Sequence, residues 1–163
     1  MRILLGVMLS IVATGIPADE DTFVTTRVLT ATTANQIAVV AEQACRKKGY
    51  QVSAAVVDRY GNLIAFVRDP LSGAHTINVS QSKAYTAATF QGATIELAER
   101  LKFLKGTPGI SLVGGGVPIR VAGYMYGAVG ISGAPREKIP GDVDDACARA
   151  GIDAARDALE FAG

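Results

Sequence analysis

Tryptophan is absent from this chain, histidine occurs once and cysteine only twice. A structural zinc site uses four protein ligands, which so few His and Cys residues cannot supply. The two cysteines, Cys45 and Cys147, also fit no Cys-x-x-Cys spacing. Charge is scarce: 16 Lys+Arg stand against 15 Asp+Glu, and the longest basic run is Arg46-Lys47-Lys48. A nearly neutral domain has no long-range field to collect phosphates or anionic lipid, so nucleic acid is not expected as a partner. Beyond the N-terminus, no apolar run approaches the roughly 20 residues that span a bilayer.

What is present is a foldable chain. Hydrophobic residues make up 49% and charged residues 19% of 163 positions, which argues against disorder. This length suits one domain, burying roughly 70% of its extended surface.

The first 18 residues read as a secretory leader. Arg2 supplies a positive charge, Ile3 to Val12 an apolar run too short to span a membrane, and Ala18 precedes Asp19-Glu20-Asp21. The chain is therefore expected in the periplasm or outside the cell, with a polar N-terminal arm at 19–30 and one domain at 31–163. Export makes a Cys45–Cys147 disulfide chemically available. Two separate buried cysteines fit the sequence equally well.

Thr32 or Thr33 is expected to cap a helix from about Ala34. Its apolar face holds Ile37, Val40, Ala41, Ala44 and Cys45, and Gly49 ends it. Val52–Val57 and Leu63–Val67 flank Asp58-Arg59-Tyr60-Gly61-Asn62, which predicts a hairpin. A long helix follows from about Thr76 to Gln91, kept slim by Ala84, Ala87 and Ala88. A shorter one covers Ile95 to Leu104. Three strands are predicted next: Ile110–Val113, Val117–Val121 and Tyr124–Ser132. A last helix runs from Asp142 to Phe161. Hairpins between blocks of helices predict an α+β fold with an antiparallel sheet of about five strands and helices packed on it.

Several of these segments together resemble the GlcG/HbpS-like family. The first is Val57-Asp58 with Gly61 and Leu63, followed by the helical element Lys83-Ala84-Tyr85-Thr86-Ala87. The others are Gly115-Gly116-Val117-Pro118-Ile119, the run Gly127 to Gly133, and Asp142 to Ala146. The resemblance covers residues 30 to 162. It implies a profilin-like fold, a homo-oligomer, and haem as the cofactor of some members, including the C-terminal domain of PduO-type proteins. Some secreted relatives degrade haem slowly or sense redox stress. Others accompany glycolate or alcohol oxidation without a settled activity. Fold alone does not decide among these.

Within that frame, the candidate cofactor-binding residues are His75, Lys83, Tyr85, Thr86 and Arg120. Imidazole and phenolate both ligate haem iron, so His75 (the candidate metal ligand) and Tyr85 are the iron candidates. The plainer alternatives are an exposed surface histidine and a core or interface tyrosine. Lys83 is a candidate partner for a haem propionate or for Asp58, and Asp58 with Lys83 is the one acid–base pair the motifs suggest for an enzymatic role. Thr86 is expected to back-bond within its own helix. Arg120 reads as a carboxylate partner or a solvated strand-edge charge. Gly114-Gly115-Gly116 lacks the lysine and serine of a phosphate loop and predicts close backbone approach instead. The cluster Asp142, Asp144, Asp145 reads as a helix start complementing the dipole. A third reading, an oligomeric module without a ligand, remains beside the binding and enzymatic ones.

Overall fold

Thr30 opens the first helix. Its hydroxyl accepts the Thr33 N–H at 3.2 Å, and helix α1 occupies Ala31–Arg46. The helix thus starts earlier than the cap expected at Thr32 or Thr33. The Thr33 hydroxyl is drawn back to the Thr30 hydroxyl at 3.0 Å, so Thr30 satisfies the orphan donor of the first turn. The computed structural model describes residues 23–161. The leader expected at 1–18 lies outside the described residues, as do residues 19–22 of the arm. Residues 23–30 are neither helix nor strand.

The hairpin forms where the turn chemistry puts it. Strands β1 (Ser53–Asp58) and β2 (Leu63–Arg68) pair antiparallel. One Asp58 carboxylate oxygen accepts the N–H groups of Tyr60 and Asn62 at 2.8 and 2.9 Å, and the other accepts the Asn62 amide at 3.0 Å. Asp58 is therefore an Asx-turn residue. Helix α2 spans His75–Phe90, then come α3 (Thr94–Arg100) and a 3-10 turn at Lys102–Leu104. Strands β3 (Gly116–Val121) and β4 (Tyr124–Ser132) complete a four-stranded antiparallel sheet in the order β2-β1-β4-β3. Helix α4 runs Asp142–Ala154, and a break at Ala155 separates it from α5 (Arg156–Glu160).

Two expectations change here. The last helix is two helices rather than one. The sheet has four strands rather than about five, because Ile110–Val113 is a crossing loop. Two of its backbone groups are met by side chains instead of a neighbouring strand. The Thr86 hydroxyl accepts the Ser111 N–H at 2.9 Å, and the Thr94 hydroxyl donates to the Val113 carbonyl at 2.8 Å.

The sheet lies between helices. One face packs on α1 and α4 through a core that includes Ile37, Val56, Ile119, Val129, Ile131 and Ile152. The other face receives α2 through small residues: Ala55, Ala84, Ala87, Ala88 and Ala128, with Val57. Here α2 comes very close, because a methyl at Gly130 would overlap the Ser80 carbonyl oxygen and one at Gly116 would overlap that of Lys83. Slimness in the helix and missing side chains in the strands are one packing solution.

Across the first face, Cys45 of α1 and Cys147 of α4 form a disulfide, with Cα atoms 5.6 Å apart. Of the two states the sequence allowed, the structure has the bridge. It spans 102 residues of chain, which corresponds to about 4–5 kcal/mol of denatured-state entropy. The Cys45→Ser/Cys147→Ser double variant should therefore lose stability on that order in urea unfolding, while its far-ultraviolet circular dichroism stays native. An unchanged urea midpoint would show that the bridge restrains nothing.

Candidate functional site

Lys83 points inward from α2 and is only 2% exposed. Its ammonium donates to Asp144 Oδ2 at 2.7 Å and to the Ile131 carbonyl at 2.8 Å. Asp144 lies in the first turn of α4, and its other carboxylate oxygen accepts the Ala134 N–H at 3.1 Å. The pairing of Lys83 with Asp58 suggested by the motifs does not occur, because Asp58 is committed to the hairpin turn. Burial pushes the Lys83 pKa down and that of Asp144 up, in each case against the pull of the other charge. Desolvation thus outweighs attraction in this pair. Gly115 completes the enclosure: a methyl there would meet the Asp144 Cβ at 2.6 Å and the Lys83 Nζ at 3.0 Å. The three-glycine run makes close packing around a buried charge, as its backbone character suggested.

Tyr85, two residues along α2, faces outward and is 41% exposed. Its ring lies against the hairpin turn. Gly61 has φ +88° there, and a methyl at that position would stand 2.6 Å from the Tyr85 Cδ2. Ring and turn form one wall of an open cleft of about 440 Å³. Val57, Leu63 and Pro108 give it apolar surface, and Asn62, Gln81 and Ser82 give it hydrogen-bonding groups.

The other candidates do not converge on it. Thr86 is buried, donating to the Ser82 carbonyl at 2.7 Å while accepting from Ser111. It back-bonds as expected and also pins the loop that carries the rim residues Pro108 and Gly109. His75 is exposed in the first turn of α2, its ring beside Gly73. Ten residues of helix separate it from Tyr85, about 15 Å along the axis. Arg120 lies in a different cleft, between β3 and α4, and donates to the Gln91 carbonyl and side chain at 3.1 and 3.2 Å. Of the five residues, Tyr85 alone lines the hairpin cleft.

The acidic cluster is divided three ways. Asp142 accepts the backbone N–H groups of Glu137, Lys138, Ile139 and Val143 at 2.6–3.2 Å. These bonds, that from Glu137 foremost, hold its pKa at about 2. Asp144 belongs to Lys83, and Asp145 pairs with Arg149 at 2.7 Å. Among the described residues no group of three His, Cys, Asp or Glu side chains is placed to hold a metal ion. No helix among them is long and apolar enough to cross a membrane.

A family model described as "Haem degrading protein HbpS-like" matches residues 29–153. The chain is 34% identical to Protein GlcG of Escherichia coli over 104 residues, covering 61% of this chain and 77% of GlcG. The crystal structure of a double mutant of Streptomyces reticuli HbpS superposes with a TM-score of 0.74 at 34% identity, covering 88% of this chain and 97% of that one. The PduOC:heme complex has the same fold, with a TM-score of 0.69 at 24% identity, over 78% of this chain and 95% of that one.

Two outcomes follow from this geometry. Lys83→Met leaves a buried carboxylate unpaired and should cost about 3–5 kcal/mol in urea unfolding. Adding Asp144→Leu to it should recover most of that loss, and a double variant as unstable as the single would show that the charges do not act as a pair. For Asp142, the depressed pKa means stability present above the unfolded value, near 4, and lost as pH falls through about 2. Amide-exchange protection factors, taken relative to the intrinsic rate at each pH, should fall at residues 137–143 over that interval in the wild type and be low at all pH in Asp142→Ala.

Proposed function

This chain belongs to the HbpS-like family, and we propose that it binds haem, or a similar flat cofactor, in the cleft between the β1–β2 turn and α2. The observation that carries the proposal is the placement of Tyr85. It is an exposed phenol on the wall of the cleft, held by Gly61 and ringed by Val57, Leu63 and Pro108. A tyrosine phenolate is one of the ligands that hold haem iron, and one open side would leave an edge of a macrocycle in solvent. Haem, when bound, supplies an iron centre with redox and ligand-exchange chemistry. The protein's part is to offer the phenol oxygen and to cover a ring face with apolar surface. Asn62 and Gln81 would answer the polar edge.

The other candidates take supporting places in this reading. Thr86 positions the rim through Ser111. Lys83 acts through the fold, since its ammonium is occupied by Asp144 and Ile131. The enzymatic alternative relied on Asp58 and Lys83 as an acid–base pair, and those two groups serve separate networks. Binding is therefore the reading we favour over turnover. Export to an oxidising compartment is part of the proposal, supported by the Cys45–Cys147 bridge.

Haem titrated into the purified protein should give a saturating Soret band. Tyr85→Phe should shift that band and weaken binding roughly tenfold or more, whereas His75→Ala and Arg120→Ala should leave it alone. Loss of the band in His75→Ala with Tyr85→Phe unaffected would move the site to the start of α2. Absence of any band in the wild type would end the haem proposal.

A further inference from the structure

The described part of the N-terminal arm crosses the end of the sheet and encloses a second cavity of about 390 Å³ there. It is lined by Thr25, Thr26, Arg27, Arg59, Tyr124 and Met125. Two arginines from distant parts of the chain thus line one hollow, Arg27 from the arm and Arg59 from the β1–β2 turn. Both arginines are exposed, and among the described residues no carboxylate lines the cavity to answer their charge. Among the described residues neither arginine makes a salt bridge or donates a side-chain hydrogen bond. The adjacent acid, Asp58, gives its oxygens to Tyr60 and Asn62 instead.

Arg27 is nonetheless restrained. Arg27 lies over the Tyr124 ring, 4.1 Å from its centroid, and Arg59 lies near the Tyr60 ring at 5.8 Å. A guanidinium stacked by its face keeps all its N–H donors in the plane of the group, free for a partner at its edge.

From the two arginines at one hollow and their unpartnered edges we propose that the cavity beneath the arm is a binding site for a small oxyanion, a carboxylate or phosphate group, held between Arg27 and Arg59. Charge-assisted bonds from two guanidinium edges suit such a group. Met125 and the Tyr124 ring supply apolar surface for whatever carries it. The site is separate from the Tyr85 cleft, shares no lining residue with it and stands whether or not haem binds there. Occupation would also fasten the arm to the hairpin, since one arginine comes from each.

Arginine side-chain Nε–Hε resonances of the full chain provide the test, followed while sodium phosphate or sodium acetate replaces chloride at constant ionic strength. The signals of Arg27 and Arg59 should shift together and saturate, and the tighter of the two salts identifies the class of anion. Arg59→Gln should weaken the response of Arg27 roughly tenfold or more, and Arg27→Gln should do the same to Arg59. Because Arg27→Gln also loosens the arm from Tyr124, the Arg59 variant decides the matter. Shifts that never saturate with either salt, or an Arg27 response unchanged in Arg59→Gln, would overturn the proposal.

Discussion

An ammonium group removed from water must be answered by charge and by hydrogen bonds, and the Lys83 ammonium sits where three elements of the fold have to supply both. Its stem comes from α2, a carbonyl from the end of β4, and the carboxylate from the first turn of α4. Burial works against the charged forms of both groups, and a buried ion pair is in general weak evidence for stability. Its effect is on registry. Sliding α2 along the sheet, or turning α4 about its axis, would leave a bare charge in the core. The glycines at 115 and 116 belong to the same constraint, since side chains there would occupy the space of Asp144 and the Lys83 backbone.

That inward lysine also determines what α2 presents outside. Two residues along an α-helix amount to about 200° of rotation, so a buried Lys83 turns Tyr85 toward solvent and over the hairpin. Thr86, one residue further, faces the crossing loop and ties it down through Ser111. The cleft is thus assembled from a turn held by Asp58, a helix held by Lys83 and a loop held by Thr86. None of the three anchors touches a ligand in the proposed site. On the opposite face the disulfide joins α1 to α4, so α4 is fixed from both sides. At the same end of the sheet as the hairpin turn, the arm brings Arg27 toward Arg59, so that one end of the molecule carries both proposed binding surfaces.

Much of this was legible in the chain itself. The hairpin follows from Asp58, Gly61 and Asn62, whose preferences are satisfied within five residues. The extent of α2 follows from its run of helix-compatible small residues. The antiparallel α+β class and the close approach at the glycine run were both readable as patterns. The missing fifth strand was not. Ile110–Val113 has a strand's composition, and only the hydroxyls of Thr86 and Thr94, far off in sequence, show that its backbone needs no neighbour. The partner of Lys83 was misread for the same reason, being 61 positions away on a helix whose acids all looked solvated. Arg27 and Arg59 carried no local signal, because each is an ordinary surface arginine until the arm is laid across the sheet.

The sequence by itself determined the elements, their order and the family motifs, because turn preference, capping and apolar periodicity act over a few residues. The tertiary structure alone decided which charges meet, whether the cysteines pair and which candidate side chains share a cleft. Those outcomes depend on how whole faces pack. The desolvation that governs a buried charge is set by everything around it, not by its neighbours along the chain.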